Sequence, residues 1–271
     1  MDLNTISEIG RPGNRSELPP WRAGDAWLGG GTWLFSEPQP ALTRLIDLSG
    51  LDWPSLEIGT DGLRIAATCT LAQLAVAEFP AAWRAAPLFR QCCRALLGSF
   101  KIWNAATVGG NLCMALPAGP MAALTCALDG VCAIWMPKEG ERQLPAAKFV
   151  VGPQQNALRP GELLRAIDLP AAAMLRRSAF RQISLTPLGR SAALLVGTRS
   201  AEGDFALTVT AATRRPVQLA FIGLPSDTAV QQALAQAIPN DLYYDDMHGA
   251  PDWRRHMTLR LAEEIRQELS T

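Results

Sequence analysis

Along this chain the spacing of apolar and polar positions changes period several times, and each change predicts an element. Residues 1–24, rich in Gly, Pro and charge, keep no period and read as an irregular N-terminal arm lying over the body. Residues 25–35 form an apolar and aromatic run interrupted by Gly29, Gly30 and Gly31, which predicts a strand, a tight glycine turn and a continuation. A short strand follows over 44–48. Apolar residues then alternate over 55–70 around Thr60-Asp61-Gly62, a hairpin pattern, before helical spacing takes over at 71–78. A second helix is predicted over 82–97, ending at Gly98, and a buried helix over 121–128 after the Pro- and Gly-bearing loop 116–120. Strands are expected at 131–136 and 162–169, the latter closed by Pro170.

From Ser178 the texture turns to three β-leaning segments, 179–185, 191–198 and 205–224, for which a three-stranded antiparallel sheet is the economical arrangement. Two helices complete the chain, 227–238 and 252–269; in the second, Trp253, Met257, Leu261 and Ile265 recur every four residues on one stripe. The change of texture places a domain boundary between Pro170 and Ser178. No internal repeat or low-complexity tract is present.

Composition narrows what such a chain can do. With 271 residues, 48% apolar and 18% charged, it can bury a full core as one large or two modest domains. Its 25 basic and 25 acidic residues cancel, and no Lys/Arg block is long enough to track phosphates, which argues against a nucleic-acid partner. The longest apolar stretch, 121–136, is broken by Asp129 and Gly130 and falls short of the roughly 20 residues that span a bilayer. The opening residues have neither a basic nor an apolar signal region, so no membrane span or signal peptide is expected. Six cysteines without a CxxC pair, and only two histidines, do not make a zinc or iron–sulfur site; they read as reduced core thiols. That fits the cytoplasm, with export beside a signal-bearing partner subunit as the alternative.

Two segments carry chemistry. Glycine admits positive φ and lets a ligand approach the backbone, and successive exposed N–H groups form a nest for an anion. Leu28-Gly29-Gly30-Gly31-Thr32 offers three glycines and a hydroxyl; Thr107-Val108-Gly109-Gly110-Asn111 offers a hydroxyl, two glycines and an amide. Each alone is either a plain turn or a phosphate site. Neither matches G-x-G-x-x-G after a strand or G-x-x-x-x-G-K-[ST], so Rossmann and P-loop readings fail. Two such loops, about 78 residues apart, can instead close on one pyrophosphate from opposite sides.

The order of several segments resembles the FAD subunit of the xanthine dehydrogenase and carbon monoxide dehydrogenase group of molybdenum hydroxylases. Gly29-Gly30-Gly31-Thr32 is similar to the family's A-G-G-T-D, and the stretch from Lys101 through Trp103-Asn104-Ala105-Ala106-Thr107 to Gly109-Gly110-Asn111 to its I-R-N-x-A-T-I-G-G-N. Gly161-Glu162-Leu163-Leu164 running to Leu169-Pro170, Ser178-Ala179-Phe180-Arg181-Gln182, and Asp246-Met247-His248-Gly249-Ala250 with Trp253-Arg254-Arg255 continue the likeness in order. The resemblance implies an α+β chain: a two-subdomain FAD-binding fold of the vanillyl-alcohol-oxidase/PCMH type over 25–172, then a small C-terminal α+β domain over 173–271. It implies that Gly29, Gly30, Gly31, Thr32 and Trp33, with Thr107, Gly109, Gly110 and Asn111, hold the pyrophosphate and ribityl region. Leu164 would lie against the isoalloxazine, and Arg181 would place a cation near the ring, favouring its anionic reduced form.

The function implied is electron relay within a heterotrimeric complex: an iron–sulfur subunit with [2Fe-2S] clusters delivers electrons, FAD in this chain stores them, and NAD or another acceptor removes them. Substrate oxidation would belong to a separate molybdenum-pterin subunit. The chain departs from the family at Trp33, where Asp is frequent, at Gly119, where an acidic residue is common, and after the Phe180 strand, where Arg190 and Ser191 replace the usual acid. Those departures motivate a second reading, a flavin-free structural or assembly subunit. A third, a free-standing flavin oxidase, lacks a well-placed His or Cys for covalent flavin attachment. His248 and His256 are expected on the surface or in helix packing, and Asp245 and Asp246 at a helix end. Trp21, Trp27 and Trp103 suit either core packing or a flavin or partner surface; Arg176, Arg177 and Arg181 suit either an acidic partner or a solvated edge.

Overall fold

The computed structural model describes residues 3–271, so Met1 and Asp2 of the expected arm lie outside the described residues. Its first sheet is parallel. Strand β1 (Glu8–Gly10) and β2 (Asp25–Leu28) flank β3 (Arg44–Asp47). The arm is therefore not wholly irregular: Glu8, Ile9 and Gly10 pair with Arg44, Leu45 and Ile46. What holds them is charge as much as backbone. The buried Asp25 carboxylate accepts from Arg44 Nε at 2.8 Å and Nη2 at 2.6 Å, while Arg44 also donates to Pro20 O at 2.9 Å and to Glu8 at 3.4 Å. The Arg44 guanidinium holds the Asp25 carboxyl below its ordinary range despite the opposing cost of burial. Strand β2 ends at Leu28 rather than continuing past the glycines. Gly31 adopts φ +66°, and Phe35 N–H donates to Gly31 O at 2.9 Å, so the chain turns there.

The second sheet has five antiparallel strands. The predicted hairpin is present as β4 (Leu56–Gly59) and β5 (Gly62–Ala66). Helices α1 (Leu71–Ala75), α2 (Pro87–Ala95), α3 (Phe100–Ala105), α4 (Val108–Met114) and α5 (Pro120–Ala127) follow. Helix α2 begins five residues later than its apolar spacing suggested, with Pro87 in its first turn, where the missing N–H costs no helical hydrogen bond. Strands β6 (Val131–Trp135) and β7 (Glu141–Pro145), the small hairpin β8 (Val150–Gly152) with β9 (Gln155–Asn156), and β10 (Leu163–Pro170) complete this part. The sheet order is β4-β5-β10-β6-β7, with Ile167 of the central strand opposite Ile65 and Cys132. Apolar residues of that sheet and of helices α1, α2, α4 and α5 form one core that includes Ile65, Phe89, Leu112, Leu124 and Ile167.

After the short helix α6 (Ala171–Met174), the third sheet is a four-stranded meander, β11 (Arg177–Ile183), β12 (Ala193–Arg199), β13 (Phe205–Thr210) and β14 (Val217–Phe221). This corrects the expected three strands. The long apolar segment 205–224 is cut where Ala211 takes φ +62°, and Pro216 precedes the next strand. Helices α7 (Asp227–Ala237) and α8 (Pro251–Glu268) pack on one face through Leu234, Met257, Leu261 and Ile265. All eight residues of α5 are buried, because the helix lies between helices α2 and α4 on one side and strands β12 and β13 on the other; Leu194 and Val196 of β12 join its core. Ala211 N–H donates to Pro117 O at 2.8 Å and fastens the meander to the loop before α5.

Candidate functional site

A cavity of about 610 Å³ opens where the glycine turn after β2, the α3–α4 junction and the connection between β11 and β12 meet, within the range of roughly 300–1,000 Å³ typical of small-molecule sites. Gly29, Gly30, Gly31, Thr32 and Trp33 all line it, and so do Thr107, Gly110 and Asn111. The two glycine segments touch. A Cβ on Gly29 would lie 3.0 Å from Thr107 Oγ1, and one on Gly30 would lie 1.5 Å from Ala105 O at the end of α3, just before the second segment, so only glycine permits the approach at position 30.

The first segment is a run of free donors. No hydrogen bond within the described residues uses the N–H groups of Gly30, Gly31, Thr32, Trp33 or Leu34. Five consecutive unpaired amides on residues that line a cavity are donors available to an anion.

The second segment is built the other way. Its glycine pair lies in the first turn of α4, and its amides are already taken: Val108 N–H by Cys69 O at 2.8 Å, Gly109 N–H by Ala67 O at 2.9 Å, Gly110 N–H by Thr107 Oγ1 at 3.0 Å and Asn111 N–H by Thr107 O at 2.9 Å. Gly109 is fully buried on Ala67 and does not line the cavity. What this segment presents is side chains. Thr107 Oγ1 accepts the Gly110 N–H and Asn111 Oδ1 accepts Met121 N–H at 3.1 Å. With the acceptors occupied, the Thr107 O–H and the Asn111 NH2 remain as donors.

The structure does not bring Leu164 or Arg181 to the cavity lining. Leu164 is 1% exposed in the core of β10. Arg181 is engaged on α8, donating to Glu264 at 3.1 Å and pairing with Glu268 at 2.7 Å, and it lines a separate shallow groove. Apolar walls come instead from Leu96, Leu97, Ile102 and Leu188. Trp27 lines the cavity, its Nε1 donating to Glu162 O at 2.9 Å, whereas Trp103 packs against the core.

Two polar side chains at the cavity were not among the residues expected to hold the cofactor. Arg190 reaches it from the β11–β12 connection and His248 from the turn before α8. Both segments are tied to one buried residue: Arg254 donates to Ala192 O and Ala211 O at 2.6 Å, to Gly249 O at 2.8 Å and to Asp246 at 2.5 Å. Among the described residues, none that lines the cavity is an Asp, Glu or Lys.

The six cysteines are free thiols. Burial pushes Cys69, Cys93, Cys113 and Cys126 up to about 12, and Cys92 and Cys132 higher still, so all stay protonated and unreactive near neutral pH. Among the described residues no group of three or more His, Cys, Asp or Glu is placed to hold a metal, and no helix is long and apolar enough to cross a membrane.

Known proteins share both sequence and shape with this chain. A family model described as the FAD binding domain in molybdopterin dehydrogenase matches residues 24–172. Caffeine dehydrogenase subunit beta of Pseudomonas sp. (strain CBB1) is 35% identical over 105 residues, a match spanning 37% of this chain and only 35% of that relative. The fold is similar to that of reconstituted CO dehydrogenase from Oligotropha carboxidovorans, with TM-score 0.83, 24% identity and 98% of each chain covered. Quinoline 2-oxidoreductase from Pseudomonas putida 86 has TM-score 0.78, with 19% identity over 100% of each chain. Because the family match takes in more than half of the 271 residues, this chain belongs to the FAD-binding domain family of the molybdopterin dehydrogenases.

Proposed function

We propose that this chain is the FAD-carrying electron-transfer subunit of a molybdenum hydroxylase. It would receive electrons from an iron–sulfur subunit and pass them to a terminal acceptor, while a molybdenum-pterin subunit oxidises the substrate. The observation that carries the reading is the run of unpaired amides from Gly30 to Leu34 at the cavity wall, beside the donor side chains of Thr107 and Asn111. An anionic pyrophosphate supplies the acceptors that these groups lack. Bound FAD supplies the redox chemistry, and the protein supplies position and electrostatics. In this reading residues 25–172 form the FAD-binding unit, 173–271 a C-terminal α+β unit that completes the cavity, and 1–24 an arm pinned by β1.

The roles divide by residue. Gly30, Gly31, Thr32 and Trp33 donate backbone N–H bonds to the pyrophosphate, and Thr107 and Asn111 donate from their side chains. Gly29 and Gly110 leave room at the junction of the two segments, and Gly109 packs the second against the sheet without touching the cofactor. Leu96, Leu97, Ile102 and Leu188 exclude water from the flat ring.

Titrating the purified chain with FAD and following the flavin absorption bands tests this. We expect saturation near one FAD per chain. A folded chain that takes up no FAD would overturn the reading. The departures at Trp33 and Gly119, which both line the cavity, would then mark a flavin-free assembly subunit.

A further inference from the structure

Among the described residues the cavity has one side chain of fixed charge, and it is not the one that the family likeness nominates. Arg190 lines the cavity, is solvent-exposed, and makes no hydrogen bond, ion pair or ring contact among the described residues. Arg181 is fully engaged with Glu264 and Glu268, and Arg254 is buried and engaged with three carbonyls and Asp246. An unpaired guanidinium at the edge of an otherwise uncharged, largely apolar cavity is set to meet an anion.

Its neighbour indicates which anion. Leu188, two residues away on the same connection, also lines the cavity and is 86% exposed. A bare leucine beside a free arginine suits a planar apolar ring with negative charge at one edge, and does not suit a phosphate, which offers nothing for the leucine to cover. The pyrophosphate, moreover, already has the amides of the first glycine segment and the donors of the second. The base of this connection is held firmly: Ala192 N–H donates to Ile183 O at 2.8 Å, and Arg254 grips Ala192 O at 2.6 Å. The loop can therefore present Arg190 and Leu188 from a fixed footing.

We propose that Arg190 is the cation that faces the flavin ring and favours its anionic reduced form, with Leu188 covering the ring beside it. The proposal rests on the FAD reading above. Arg190 acts as a positioning and tuning residue. Removing its charge makes the ring harder to reduce, because the negative charge gained on reduction loses its counterion.

The test is the equilibrium between the FAD-loaded chain and a reference redox dye in one cuvette, for wild type, Arg190→Gln, Arg190→Lys and Arg181→Gln. At fixed poise, Arg190→Gln should lower the ratio of reduced to oxidised flavin about tenfold, a shift of about 30 mV for a two-electron couple. Arg190→Lys should recover most of it, Arg181→Gln should match wild type, and the FAD Kd of Arg190→Gln should stay within about threefold, since the pyrophosphate donors are untouched. An unchanged potential in Arg190→Gln, or a shift appearing in Arg181→Gln instead, overturns the assignment. So does a more than tenfold loss of FAD affinity with unchanged potential, which would put Arg190 on the pyrophosphate. Failure of wild type to bind FAD is a different result, since it removes the FAD reading itself.

Discussion

The glycine segments at 29–34 and 107–111 meet at one cavity and solve the same problem in opposite ways. In the first, glycines leave the backbone as the donor: the N–H groups of Gly30, Gly31, Thr32, Trp33 and Leu34 have no partner within the described residues. In the second, the glycines allow close packing against Ala67 and Thr107, every amide from Val108 to Asn111 is spent inside the fold, and the donors left over are the Thr107 hydroxyl and the Asn111 amide. The lesson is that a glycine pair in a sequence signals close approach, and only the hydrogen-bond ledger of the folded chain says whether a ligand or the protein does the approaching.

The largest effect is expected where the two segments touch. Gly30→Ala would put a Cβ 1.5 Å from Ala105 O and 2.4 Å from Ala105 C, both backbone atoms that cannot swing aside. A cost of about 3 kcal/mol or more in denaturant-measured stability is expected, together with loss of FAD. Wild-type stability would show that the junction is not the tight contact described.

A smaller change separates side-chain from backbone recognition. Asn111→Asp keeps an oxygen to accept the Met121 N–H, so the fold should survive, but it exchanges the NH2 donor for a carboxylate oxygen. Losing a hydrogen bond to a charged group costs about 1.5–3 kcal/mol, so FAD should bind about tenfold to a hundredfold more weakly with little change in thermal midpoint. Unaltered affinity would remove the second segment from the cofactor site.

Much of the fold is legible in the pattern of residues. The hairpin announced by Thr60-Asp61-Gly62 is there as Leu56–Gly59 and Gly62–Ala66, and the apolar run after Pro120 is the buried helix Pro120–Ala127. Elements without a local signal escaped. Glu8–Gly10 is three residues long and is held by Arg44, 34 residues beyond its end, through Glu8. Glu141–Pro145 is a polar edge strand with alternating exposure and no apolar run to mark it. The fourth strand of the meander was hidden because the chain turns at Ala211, which gives no turn warning, and the one local break signal, Pro216, stands at the start of the next strand instead of at the turn.

The site divides similarly. The glycine segments stand out because their composition is unusual over a few residues. Leu164 and Arg181 sit in segments that match a family pattern, yet their side chains face the core and the last helix. Arg190 and His248 lie on segments that Arg254 joins, tying Ala192, Ala211 and Gly249 together across more than 60 residues of chain. No local pattern encodes such a convergence.

The most direct test of the contrast between the two segments is amide hydrogen exchange resolved residue by residue, with and without FAD. The account predicts that the amides of Gly30, Gly31, Thr32, Trp33 and Leu34 exchange fast in the free chain and become protected when FAD binds, while those of Val108, Gly109, Gly110 and Asn111 are slow in both states. Protection appearing at 108–111 on binding, with 30–34 unchanged, would contradict it.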